Sequence, residues 1–193
     1  MYSPSSMATS VLSLFGTMGI LAYSPIFVQQ VMHVSPTISG SMLTPYSLLT
    51  AFLGIPAGYL LARTKRYKWM YVLGYVIITI AMAAMWSFTV DTPIWLYVLV
   101  TSVAGFGFGA MPTINTLVAQ FAVPRRLLGV AVGAMFFFQM VGMAAALSFL
   151  GLAQASAADL EGGLKLVFLI GAVCTAASLL WVMTIPDLSM DTE

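Results

Sequence analysis

The 193-residue chain is 61% apolar and only 7% charged, with seven Lys and Arg against six Asp and Glu. A water-soluble domain carries about 25% charged residues, so this composition excludes an ordinary soluble fold and makes lipid the expected solvent. The net charge of +1 identifies no partner, and no nucleic-acid partner is expected. The single cysteine, Cys174, lies in an apolar run. A disulfide framework and a cysteine metal site are therefore both excluded, and neither a metal nor a cofactor is expected. Residues 1–10 contain no Lys or Arg, and the apolar stretch after them outlasts a signal-peptide core, so no cleaved leader is expected.

In chain order, apolar spans are expected at about residues 7–32, 39–62, 69–88, 93–121, 127–153 and 164–185. Each exceeds the ~20 residues that cross ~30 Å of hydrocarbon as an α-helix. Strands alternating in polarity are absent from the sequence, so a membrane β-barrel is not expected. The fold class read from the chain is an all-α membrane domain of six transmembrane helices, covering residues 1–193. Arg63, Lys65, Arg66 and Lys68 follow the second span, and Arg125 and Arg126 follow the fourth. The opposite side has His33, Asp91, Asp159 and Glu161, with Lys165 as its sole cation. Six of the seven cations thus share one face, which the positive-inside rule makes cytoplasmic along with both termini. Trp69, Trp86, Trp95 and Trp181 all fall near span ends, where interfacial aromatic belts form.

The second span closes in the run GIPAGYLLARTKRYK, residues 54–68. Gly54 and Gly58 share one helix face and allow a neighbouring helix close. The cations beyond them suit the negative end of the helix dipole. A packing seam followed by an ordinary positive-inside loop accounts for the same residues. In the fourth span Gly105 and Gly109 form a second small-residue face, and Pro112 breaks the helix ahead of Thr113, Asn115, Thr116 and Gln120. Freed carbonyls and amides there fit either a wet path or a kinked packing helix bonded to its neighbours. In the fifth span Gln139 sits among Phe136, Phe137, Phe138 and Met143. A buried amide without a partner costs about 1–3 kcal/mol, so Gln139 should face the bundle or a cavity. Its aromatic surroundings suit either an apolar ligand or lipid-facing packing.

The run from Gly58 to Lys68 resembles the signature loop of the major facilitator superfamily, with Gly58, Leu60, Arg63 and Arg66 in register and Lys68 just beyond. Ala62 stands where the signature has Asp, and Lys65 where it has a second Gly. The acid of the inter-helix charge relay is therefore missing, as is tolerated more often in the C-terminal copy of the loop. The run YSPIFVQQVMHVSPTISG at residues 23–40 resembles the first helix and outer loop of the C-terminal half of fourteen-helix drug:proton antiporters. GFGFG at 105–109 with Pro112, GVAVG at 129–133 and FFFQMVG at 136–142 extend the likeness. Gln139 occupies a place where relatives often carry Arg.

The resemblance implies a 3+3 inverted repeat forming half of a facilitator fold. Spans one and four would line the cavity, two and five would meet the other half, and three and six would face lipid. It offers Tyr23, Gln29, Gln30, Asn115 and Gln139 as cavity candidates, and Gly54, Gly105, Gly109, Gly129 and Gly133 as packing positions. It implies a cell-membrane exporter of small apolar or cationic drug-like molecules, coupled to protons and working by alternating access. The partners would be the bilayer and either a missing N-terminal half or a second copy. No Asp, Glu, Lys or Arg lies in the middle of a span, so a coupling acid is expected outside this sequence. The alternatives are a homodimerising half-transporter and a non-catalytic membrane scaffold. No catalytic residue is expected: an intramembrane serine protease needs a His base, and the only histidine, His33, falls in an outer loop.

Overall fold

The computed structural model describes residues 12–64, 68–121 and 124–184, which contain helices and turns but no strand. The helices are α1 (Leu12–Val31), α2 (Pro36–Thr64), α3 (Lys68–Trp86), α4 (Ile94–Gly109), α5 (Met111–Phe121), α6 (Leu128–Ala155) and α7 (Leu160–Thr184). Helices α4 and α5 together form the fourth span, giving six membrane-competent spans among the described residues. Residues 7–11 and 185 of the expected spans lie outside the described residues.

Local chemistry explains the element ends. Ser35 and Pro36 open α2 as a cap and first-turn proline, and the Ser39 N–H donates to Ser35 O at 2.9 Å. Helix α7 starts ahead of the expected span because Asp159 caps it: its Oδ2 accepts from the Gly162 N–H at 3.1 Å. Glu161 and Lys165 pair at 2.7 Å one turn on. The break between α4 and α5 falls at Ala110, just where Pro112 withholds the N–H that would bond Phe108 O. Helix α1 widens into two π-helical segments, Gly19–Tyr23 and Phe27–Val31, on either side of Pro25. The proline interrupts the i→i−4 ladder, and the helix takes up the slack as π turns. It ends at His33, the one non-glycine residue with positive φ (56°) among the described residues.

In α2 a Cβ built on Gly40 meets nothing within 4 Å. Gly40→Ala is therefore expected to stabilise the protein by about 0.5–1 kcal/mol through helix propensity alone. A thermal melt in detergent would register this, and an unchanged or lower midpoint would refute it.

The packing displays the inverted repeat. The fourth span packs on α2 and α3, and the first packs on α6 and α7. Helices α3 and α7, the third members of the two triplets, pack extensively on each other. Glycines set these crossings. A Cβ on Gly105 would lie 2.8 Å from Tyr46 O, and one on Gly109 would lie 3.1 Å from Leu49 O, so α4 meets α2 backbone to backbone. Gly107 turns the opposite way and meets α3, where its Cβ would lie 3.0 Å from Gly74 O. Between α1 and α7, a Cβ on Gly171 would come within 3.6 Å of the Gly16 Cα. Thr79 donates to Thr175 at 3.1 Å across the α3–α7 contact.

The main core gathers where α1, α3, α4 and α7 converge. Phe27 stacks on Tyr97 at 6.3 Å and meets Phe168 edge-on at 5.8 Å, while Phe88 packs on Tyr97 at 5.7 Å. The Tyr97 hydroxyl donates to Ser24 O at 2.9 Å and also contacts Ser24 Oγ. That carbonyl lies in the proline-disturbed stretch of α1, so the tyrosine supplies a bond beyond those of the helix. Among the described residues no buried side-chain polar atom lacks a hydrogen-bond partner, as lipid requires.

Candidate functional site

An open groove of about 610 Å³ runs between α2 and α5, lined by Ile55, Gly58, Tyr59, Pro112, Thr113, Thr116 and Leu117. It exists because two small residues let α2 ride low over Thr113. A Cβ on Gly54 would stand 3.0 Å from Thr113 Oγ1, and one on Gly58 3.3 Å from Thr113 Cγ2. The proline break then turns Pro112 and Thr116 outward beside Tyr59. Thr116 donates to Pro112 O at 2.8 Å, so its hydroxyl is held within its own helix. The groove is mainly apolar, with Tyr59 as a polar-tipped wall.

The five polar candidates lie at different depths. Tyr23 is buried on α1, and its hydroxyl donates to Leu147 O of α6 at 3.0 Å. Gln29, nearer the outer end of α1, donates to Ser39 Oγ of α2 at 3.3 Å. Gln30 beside it is exposed. Asn115 lies at the other end of the bundle, where its Oδ1 accepts from the Tyr71 hydroxyl of α3. Gln139 is half-buried on α6, and Phe136, Phe137 and Phe138 around it are all exposed. Tyr23, Gln29 and Asn115 thus each tie one helix to another, while Gln30 and Gln139 stand at the edge of the bundle. Gln139 is eight residues, about 12 Å of helix, from the Leu147 carbonyl that Tyr23 reaches. The sequence reading passed over Tyr59 and Tyr71; a tyrosine in an otherwise apolar span was the available signal, since its hydroxyl needs a partner.

Of the signature residues, Gly58 lines the α2–α5 groove and Arg63 is exposed in the last turn of α2. Lys68 opens α3 and donates to Met183 O at 3.1 Å. A cation there meets a helix C-terminal carbonyl, the favourable end of the dipole. Arg66 lies outside the described residues.

Two spans are poorly covered by their own chain. In the most apolar windows, 11% of α6 and 17% of α2 are buried, against 61% for α1 and 50% for the fourth span. On α2, Leu48, Phe52, Ile55 and Tyr59 are each more than half exposed and fall on one stripe. On α6, Val130, Phe137, Met140 and Leu152 are exposed, and Gly129 and Gly133 have open space around a built Cβ. Among the described residues, those two glycines therefore have no packing partner. Helices α3 and α7 are not purely peripheral: each shows an apolar outer side, such as Leu73 and Ile80 or Val173 and Leu180, and packs inward on the other.

Known proteins resemble this chain in sequence. The profile of the Major Facilitator Superfamily matches residues 1–147. A "Tetracycline resistance determinant" of Streptomyces rimosus is 33% identical over 119 residues, covering 62% of this chain and 34% of that protein. An "MFS-type efflux transporter pyiT" of Pyricularia grisea is 28% identical over 124 residues, or 64% of this chain and 20% of that protein. A "Multidrug transporter protein MdtP" of Bacillus subtilis is 24% identical over 136 residues, or 70% of this chain and 25% of that protein. The chain thus spans about a third or less of the length of these relatives. With six membrane-competent helices in a 3+3 arrangement and a profile match over most of its length, the chain is an integral membrane protein that belongs to the major facilitator superfamily.

Proposed function

We propose that the chain forms the C-terminal six-helix half of a multidrug-type exporter in the cell membrane, with both termini cytoplasmic. The observation that carries this reading is the pair of uncovered apolar faces on α2 and α6. Gly129 and Gly133 would let a further helix approach α6 closely. The names of two relatives, a tetracycline resistance determinant and a multidrug transporter, support drug-like substrates, which we take to be small and apolar or cationic. Export would proceed by rocking of two halves about a midplane site. Gln139, mid-span at the bundle edge, is proposed to face that site and Gln30 its outer mouth, with Tyr23, Gln29 and Asn115 holding the helices behind it. Proton coupling would draw its acid from the other half, since no carboxylate lies mid-span here.

The chain alone, purified into liposomes, is expected to move no drug under a proton gradient, and unaided export would sink the reading. In the assembled transporter, Gly133→Leu is expected to reduce export about tenfold, the effect of about 1.4 kcal/mol lost at the joint. The same substitution should not destabilise the isolated chain, whose melting midpoint is expected to be unchanged or slightly raised by helix propensity. A second copy docking on the same two faces is the rival reading. The mass of the detergent complex and crosslinking in native membrane separate a dimer from a monomer.

A further inference from the structure

We propose that the α2–α5 groove binds a neutral, largely apolar molecule bearing hydrogen-bond acceptors, and that the exporter first holds its substrate there. The role in export rests on the reading above, whereas the binding does not. The groove's volume of about 610 Å³ suits a small molecule, for which sites of about 300–1,000 Å³ are usual. Its walls are apolar apart from the hydroxyls of Tyr59, Thr113 and Thr116. A threonine in a membrane helix can satisfy its hydroxyl on a carbonyl one turn back. Thr50 does so on Tyr46 O at 2.8 Å, Thr64 on Leu60 O at 2.7 Å and Thr116 on Pro112 O at 2.8 Å. Tyr59 and Thr113 have no side-chain hydrogen bond among the described residues. Two donors thus stand unpaired in one apolar groove. A lipid acyl chain would fill the space but leave both without a partner. A ligand with carbonyl or ether oxygens would satisfy them.

The groove also selects on charge. No Asp, Glu, Lys, Arg or His lines it. Arg63 is exposed four residues beyond Tyr59, one turn nearer the end of α2. A fixed cation at that mouth opposes a cationic ligand, and the apolar walls make any buried charge costly. The substrate class thereby narrows from apolar or cationic to neutral. Ile55 and Tyr59 belong to the uncovered stripe of α2 as well, so a helix of the other half is the competing occupant. Leu48 and Phe52 of that stripe do not line the groove, so a helix could cover the stripe and leave the groove open.

The probe is an alkyne-tagged benzophenone, a neutral apolar ketone that inserts into nearby C–H bonds on irradiation. The full chain in phosphatidylcholine nanodiscs would be irradiated with it and the labelled peptides mapped by mass spectrometry. Labelling is expected at residues 55–59 and 112–117, and untagged benzophenone should compete it away. Tyr59→Phe and Thr113→Val should each raise the half-saturating concentration about five-fold, the effect of one hydrogen bond. Tyr59 is 68% exposed, so its substitution leaves the core intact. A benzophenone carrying a trimethylammonium group should saturate the groove only at higher concentration. Unsaturable labelling, equal affinity for the two probes, or indifference to both substitutions would overturn the proposal. So would loss of the groove labelling in the assembled transporter, which would give the groove to the other half. Saturable labelling in a transporter that exports nothing would uphold the binding and retire the export reading.

Discussion

Gly105→Leu is expected to abolish the folded bundle, with no monodisperse protein recoverable in detergent. Even a methyl at this position would lie 2.8 Å from Tyr46 O and 3.0 Å from its Cα. Those are backbone atoms inside a long helix and cannot rotate away as a side chain would. To admit a leucine, α2 must separate from α4 along its length. Separation would lose the neighbouring close contacts of Gly109 with Leu49 O and the Thr50 Cα as well. Overpacking of this kind costs about 3 kcal/mol or more when the obstacle is rigid, and the total stability of a protein is commonly only about 5–15 kcal/mol. Gly105→Ala should be milder, because the gain in helix propensity of up to about 1 kcal/mol offsets part of the clash. Gly133→Leu serves as the control, since nothing within 4 Å opposes a Cβ there. Size-exclusion profiles after a temperature series would rank the three variants. A Gly105→Leu protein melting with the parent would show that α2 and α4 do not meet as described.

The second large effect is expected at Tyr97, which is fully buried. Tyr97→Ala should destabilise the protein by about 3 kcal/mol, the lower end of the range for emptying an aromatic site. The lower end applies because lipid already solvates apolar side chains, so the loss is of packing rather than of transfer from water. Three rings, Phe27, Phe88 and Phe168, bound or adjoin the vacated space and belong to helices α1 and α7 and the turn after α3. Tyr97→Phe keeps the ring and removes the two contacts to Ser24, for which about 1 kcal/mol is expected. The difference between the two melting midpoints separates packing from hydrogen bonding. Equal effects of the two substitutions would assign the whole contribution to the hydroxyl.

The six-helix fold was legible because membrane spans are written in composition and length, which do not depend on tertiary contacts. The helix ends were less so: Asp159 and Glu161 read as loop, yet Asp159 is the cap that starts α7 and Glu161 lies in its first turn. The two π segments of α1 could not be read, since Pro25 announces a disturbed ladder but not its form. The glycine run of the fourth span was read as one face, Gly105 with Gly109. Gly107 lies about 200° round the helix from Gly105, and it serves a second neighbour, α3. A repeat of alternate glycines therefore marks a helix pressed from two sides. The polar candidates show a different limit. Depth and residue type say that Tyr23, Gln29 and Asn115 need partners in lipid. They do not say that those partners are Leu147, Ser39 and Tyr71.

The arrangement of the first span bears on how the protein enters the membrane. Tyr23 bonds to a carbonyl 124 residues further along the chain, and Gly16 meets Gly171 in the last helix. At a synthesis rate of about 5–20 residues per second, Tyr23 waits about 6–25 s for Leu147, and Gly16 about 8–31 s for Gly171. Throughout that interval Ser13, Thr17 and Ser24 of α1, all buried in the finished bundle, have to be satisfied otherwise. Thr17 does so within its own turn, donating to Ser13 O at 3.1 Å. Early insertion thus favours hydroxyls that, like that of Thr17, fold back on their own helix, whereas Ser24 is paired only once Tyr97 of α4 arrives.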